Sequence, residues 1–120
     1  MNLRIIVCDD SDAIREVIKL SLRKRGFEVV EARNGAEAVE LCRKNTFACV
    51  IMDIDMPVMN GIDATIQILK EKPGKVIIGV TAFTDQARDM LSAGAKEVIG
   101  KPFSMEELIK IVEKYTKWER

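Results

Sequence analysis

Histidine is absent from this sequence, and its three cysteines, Cys8, Cys42 and Cys49, are an odd number without CxxC spacing. A chain with no imidazole and no paired-cysteine motif has no ligand set for zinc. Cys8 and Cys49 lie inside apolar runs and read as small core residues. Charge of one sign is also lacking: Lys plus Arg and Asp plus Glu each total 19. No global field therefore draws the chain to nucleic acid or to an anionic membrane. The densest basic run, Arg23-Lys24-Arg25, precedes Gly26. It reads as the last turn of a helix, with cations at the negative end of the dipole and a glycine cap. No apolar run reaches membrane-spanning length, and the N-terminus carries no signal-peptide pattern, so the expected location is cytoplasmic. Repeats, low-complexity segments and linkers are missing too, and the 120 residues are expected to form one domain, 1–120.

What is present is an alternation of two patterns. Short apolar runs rich in Val and Ile, at 3–8, 27–32, 47–52, 75–81 and 97–100, read as strands. Between and after them lie helical segments. The first is capped near Ser11, with Ile14, Ile18 and Leu22 on one stripe and Val17 beside it. The second opens at Asn34-Gly35, with Ala38, Val39, Leu41 and Cys42 inward. The third carries Ile62, Ile66 and Leu69. The fourth is weakly amphipathic, with Thr84 as expected N-cap and Gly94 as its stop. Ser104 and Glu107 form a capping box for the last, whose apolar side is Leu108, Ile111, Val112 and Tyr115. Trp118 falls in its last turn. Met52, Met56, Met59, Met90 and Met105 read as core or loop filler. Five strands alternating with five helices through short connections argue an α/β fold, a doubly wound parallel sheet covered on both faces.

Four of these strands run into a chemically useful side chain: Asp9 and Asp10, Asp53, Thr81, and Lys101. In an open parallel sheet, ligands bind outside the carboxyl ends of the strands, where strand order reverses. Parallel alignment would bring these distant residues to one edge. Three carboxylates together repel, and at least one pKa should rise unless a cation neutralises them. One Lys cannot balance three acids. A hard divalent ion can, and Mg²⁺ suits carboxylates, a phosphate and retained waters. Lys101 and Thr81 suit the oxygens of a tetrahedral anion, one as a point charge and one as a hydroxyl donor. The set describes a phosphoryl-accepting site with Asp53 as nucleophile.

These motifs resemble the receiver domain of two-component response regulators, of the chemotaxis-regulator type. The resemblance covers essentially the whole chain. It rests on Val7-Cys8-Asp9-Asp10, Ile51-Met52-Asp53-Ile54-Asp55-Met56-Pro57 with Asn60-Gly61, Val80-Thr81-Ala82, Ala93-Gly94-Ala95 and Lys101-Pro102-Phe103. It implies a flavodoxin-like strand order, 2-1-3-4-5. It implies Asp53 as phosphoacceptor, and Asp10 and Asp53 as direct Mg²⁺ ligands with the backbone carbonyl of Asp55. Asp9 would act mainly through water, Thr81 as the switch hydroxyl, and Lys101 on the phosphate, with a cis bond to Pro102. The phosphoryl donor would be a phosphohistidine on a sensor histidine kinase or a histidine phosphotransfer protein, met through Ile14 and Val17. The fourth helix, fifth strand and last helix would form the surface read by a downstream target, without direct contact to nucleic acid or membrane. Such a chain assists only its own phosphorylation and dephosphorylation and is not a turnover enzyme. Two positions depart from the pattern. Val98 stands where the family often has the aromatic half of the switch, which makes Phe83 a candidate substitute, and Asp55 adds a carboxylate two residues after the phosphoacceptor.

A second class shares part of this pattern. Asp53-Ile54-Asp55 resembles the DxD of haloacid-dehalogenase-type phosphatases, yet Pro57 stands where that family prefers Thr or Val. Its acidic pair also comes late in the chain, and here the pair comes first. A flavodoxin-like cofactor binder would need a Gly/Ser/Thr-rich phosphate loop after the first strand, which is not there.

Overall fold

In the computed structural model, which describes residues 2–116, each apolar run is a strand. The strands are β1 (Arg4–Cys8), β2 (Glu28–Ala32), β3 (Cys49–Asp53), β4 (Ile77–Thr81) and β5 (Glu97–Gly100). The helices are α1 (Asp12–Arg23), α2 (Gly35–Lys44), α3 (Gly61–Glu71), α4 (Thr84–Ser92) and α5 (Met105–Thr116). The strands form one sheet in the order β2-β1-β3-β4-β5, every pair parallel. The expected architecture and strand order are both found. β2, the run with most polar alternation, is at an edge, and β3, buried throughout and apolar up to Asp53, is at the centre.

Alternation along the strands divides the core in two. Ile6, Cys8, Val50, Met52 and Ile77 face α2, α3 and α4, meeting Ala38, Val39, Cys42, Ala64, Ile68 and Met90. Ile5, Val7, Cys49, Ile51, Ile78, Val80 and Ile99 face α1 and α5, meeting Ile18, Leu22, Leu108, Ile109 and Val112. All three cysteines are buried. Gly26 closes α1 with φ of 91°. Ser11, Asn34 and Asn60 each accept a backbone N–H as helix caps, and Ser104 Oγ accepts from Glu107 N.

In α1, Ile18 and Leu22 are buried and Ile14 and Val17 exposed, as expected, and the first turn adds an inward residue that was not, Arg15. Two expected side-chain positions need correction. In α3 the buried face is Ala64, Thr65 and Ile68, and Ile66 is exposed. Small residues let that helix approach the sheet closely, which a stripe drawn through the largest side chains overlooks. In α4 the N-cap is Phe83, not Thr84: Ala87 N donates to the Phe83 carbonyl at 3.2 Å, and no side chain caps the helix. Trp118 lies outside the described residues.

The connection from β3 to α3 is tight. Gly61 N donates to the Ile54 carbonyl at 2.8 Å, and a Cβ on Gly61 would drive into the Asp53 carbonyl oxygen. Before it, Met59 N donates to the Pro57 carbonyl at 2.7 Å across Val58, whose φ is +69°. That is a γ-turn centred on a β-branched residue in the left-handed region, a strained conformation.

Candidate functional site

The sheet register brings the strand ends level. Cys8 pairs with Met52, Asp53 with Val80, and Thr81 with Gly100. The residues at or just beyond those ends, Asp9, Asp10, Asp53, Thr81 and Lys101, therefore share one edge. One carboxylate oxygen each from Asp9, Asp10 and Asp53 lies within 4.8 Å of the others. Asp9 and Asp53 are buried, at 4% and 6% exposure, and Asp10 is exposed. Lys101 Nζ donates to Asp53 Oδ1 at 3.2 Å, and the Lys101–Pro102 bond is cis.

Burial, then the neighbouring charge of Asp9, pushes the Asp53 carboxyl from 3.8 up to about 6, against the opposing pull of Lys101. Burial also raises Asp9, opposed first by the N–H of Ser11, which donates to Asp9 Oδ1 at 2.8 Å. The expected rise is present, and its larger cause is loss of water rather than repulsion. The site thus holds carboxylates whose charged forms are under-compensated by the protein. An all-oxygen donor set with that deficit fits a hard divalent cation.

Two contributors were not anticipated. Arg15 is buried beneath α1 and donates from Nη1 to the Asp9 carbonyl at 2.6 Å, from Nε to Glu31 at 3.1 Å, and to Asp12. Lys19 Nζ donates to the other Glu31 oxygen at 3.0 Å. This network fixes the backbone that carries Asp9. The sequence signal was there: Arg15 stands three residues before Ile18 and seven before Leu22, on the inward stripe. The second is Gln86, in the first turn of α4. Thr81 Oγ1 donates to Gln86 Oε1 at 2.7 Å, and Gln86 Nε2 donates to Asp55 Oδ1 at 2.8 Å. Phe83 N donates to Thr81 Oγ1 at 3.1 Å.

Two hollows flank the edge. An apolar groove of about 540 Å³ runs beside α1, lined by Ile14, Val17, Pro102, Phe103 and Met105, with Lys101 at its site end. A smaller one of about 290 Å³ lies between β5 and the start of α4, bounded by Thr81, Phe83, Ala87 and Val98. Val98 is half-buried and Phe83 is 59% exposed.

Comparison with known proteins decides the family. Residues 5–113 match the response regulator receiver domain. This chain belongs to that family. The transcriptional regulatory protein SrrA of Staphylococcus aureus is 35% identical over 111 residues, 91% of this chain and 46% of SrrA. The chain thus spans about half the length of the curated relatives it matches. Among solved structures, the response regulator TrrA of Thermotoga maritima, in complex with Mg²⁺ and beryllofluoride, is 36% identical with a TM-score of 0.88, covering 96% of this chain and 99% of that one. Chemotaxis protein CheY4 of Vibrio cholerae is 28% identical, also at 0.88, over 96% and 99%. Receiver domains are the phosphorylation-dependent switches of two-component signalling, and the haloacid-dehalogenase reading finds no support. No helix among the described residues is long and apolar enough to cross a membrane.

Proposed function

We propose that residues 1–120 are a single cytoplasmic receiver domain that takes a phosphoryl group onto Asp53 in a Mg²⁺-dependent reaction. The observation that carries this is the convergence of Asp9, Asp10 and Asp53 at one sheet edge with Lys101 on Asp53. Asp9, Asp10, Asp53 and the Asp55 carbonyl would hold the ion. When bound, Mg²⁺ supplies positive charge that offsets the carboxylates and the incoming phosphoryl oxygens. An Asp53 pKa near 6 leaves the carboxylate mostly ionised at neutral pH. One Asp53 oxygen attacks phosphorus: an O–P bond forms as the P–N bond of a phosphohistidine breaks, and the electron pair leaves with the imidazole, which takes up a proton. Lys101 balances charge on the new acyl phosphate, and Thr81 supplies a hydroxyl to it.

The donor is a sensor histidine kinase or a histidine phosphotransfer protein. The groove beside α1, with exposed Ile14 and Val17, suits its docking because it opens beside Lys101. The downstream partner reads α4, β5 and α5, with Thr81 and Val98 at their junction with the site. The chain turns over no other substrate. Intact-mass measurement with acetyl phosphate tests this reading. One phosphoryl group per chain is expected, lost in Asp53→Asn and in EDTA. A mass gain that persists in either sinks the assignment, and so does hydrolysis of many equivalents of a generic phosphomonoester.

A further inference from the structure

Thr81 ends β4 on the same strand face as Ile77 and Gly79, the face covered by α4. Asp53 ends β3 on the face of Ile51, covered by α1 and α5. The two side chains start on opposite faces of the sheet edge. The single proton of the Thr81 hydroxyl is also engaged: it goes to Gln86 Oε1, and the oxygen accepts from Phe83 N. Gln86 is held from the other side by Asp55 Oδ1. An amide suits this position, because one planar group offers an acceptor to a hydroxyl and a donor to a carboxylate. α4, meanwhile, has no side-chain cap of its own, and Met90 is its one buried residue. The Gln86 bridge is the polar tie that fixes its first turn to the site.

We propose that Gln86 is a positioning residue that latches Thr81 in the unphosphorylated state. It holds the hydroxyl toward α4 and away from Asp53, and joins both to Asp55. For Thr81 to donate to a phosphoryl oxygen, the bond to Gln86 must break. Breaking it frees the first turn of an otherwise uncapped helix, so chemistry at Asp53 is converted into loosening of α4. The latch opposes capture of a phosphoryl group by the worth of about one net hydrogen bond, or roughly fivefold in affinity. This rests on the reading of Thr81 as the hydroxyl that meets the phosphoryl group.

The test is titration of the full chain with beryllofluoride and Mg²⁺, followed by NMR, together with amide exchange on the metal-free protein. Gln86→Met keeps the length of the side chain and removes both hydrogen bonds; Gln86→Ala is the second variant. Both are expected to bind beryllofluoride about fivefold tighter, and to speed exchange at Ala87 and Arg88 without metal. In a Thr81→Ala background, the Gln86 substitutions should change affinity less than twofold. The non-additivity separates a latch on Thr81 from a general loosening of α4. Unchanged or weaker binding by Gln86→Met, with wild type binding normally, overturns the latch and leaves the phosphoryl-acceptor reading standing. The same fivefold change persisting without the Thr81 hydroxyl also overturns it. Failure of the wild-type chain to bind beryllofluoride overturns both readings.

Discussion

Asp53→Asn should make the metal-free protein more stable. Asparagine keeps the shape of the side chain and removes its charge. The folded protein holds the Asp53 carboxyl at about 6 against an ordinary 3.8, so the fold favours the protonated form. Each pKa unit is worth about 1.4 kcal/mol, which gives roughly 3 kcal/mol of destabilisation wherever the group is ionised in both states. Screening by water at the open sheet edge reduces that to between about 1 and 3 kcal/mol. The attraction of Lys101 is already contained in the shift, so its loss in the mutant is not a separate cost. The sign with pH follows from proton binding. Between about 4 and 6 the folded state binds more protons than the unfolded, so wild-type stability falls as pH rises through that window and levels off above it. Asp53→Asn lacks this fall. Near pH 4 the two proteins should melt together. At pH 7.5 in EDTA the mutant should melt higher, by roughly 3–5 °C for each kcal/mol gained. Calorimetry or circular dichroism reads this directly. Equal or lower melting of Asp53→Asn at pH 7.5, without divalent ions, would refute the claim that the carboxylates are under-compensated.

Three further outcomes are expected. Mg²⁺ should raise the wild-type melting temperature with concentration, and Asp10→Ala should lose most of that rise; a full response in the mutant removes Asp10 from the ligand set. Gly61→Ala gains up to about 1 kcal/mol of helix propensity, but its Cβ meets the Asp53 carbonyl, so a net loss of about 1–2 kcal/mol in urea melts is expected, with weaker Mg²⁺ binding. A neutral result would mean that the β3–α3 connection yields more easily than its backbone contacts suggest. Val58→Asn should gain about 1 kcal/mol, because Val58 is 84% exposed at φ +69° and loses no packing when replaced; a destabilised mutant would show that the turn is not strained.

The convergence of the candidate site residues was legible because they stand where apolar runs end. Asp9, Asp53, Thr81 and Lys101 are marked by the place where hydrophobicity stops, and parallel topology fixes where strand ends go. What escaped the sequence were residues whose role depends on helix placement. Arg15 was passed over because a charged side chain is ordinarily assigned to solvent, although its spacing from Ile18 and Leu22 is inward. Gln86 could not be seen at all. Its partners Asp55 and Thr81 lie 31 and 5 residues away, and nothing in the weak pattern of α4 says which side of its first turn meets the sheet. Ile66 and Ile68 show the limit of size as a guide. Both are large and apolar, and the choice between them is made by Ala64 and Thr65, whose smallness lets the helix come close.

The absence of an aromatic residue at position 98 bears on how a signal can leave this site. A β-branched side chain has few χ1 states to exchange between, and Val98 packs against the core on the α4 side of the sheet. It lines the hollow between β5 and α4, with a side chain restricted at χ1. A switch needs an element with two states. Under the proposed function the elements suited to that part are on the other wall of the hollow: Phe83, exposed at the cap of α4, and the uncapped first turn behind it, tied down by Gln86. The hydroxyl of Thr81, at the site edge, is hydrogen-bonded to that turn through Gln86 and Phe83 N, and Gln86 reaches on to Asp55. Under the proposed latch, weak capping at α4, which would be a defect in a purely structural helix, would let one hydrogen bond at Thr81 change the state of several residues. On the other side of the site, Arg15 ties α1 to the backbone of Asp9, and under the proposed function phosphorylation would act on the side with fewer such ties.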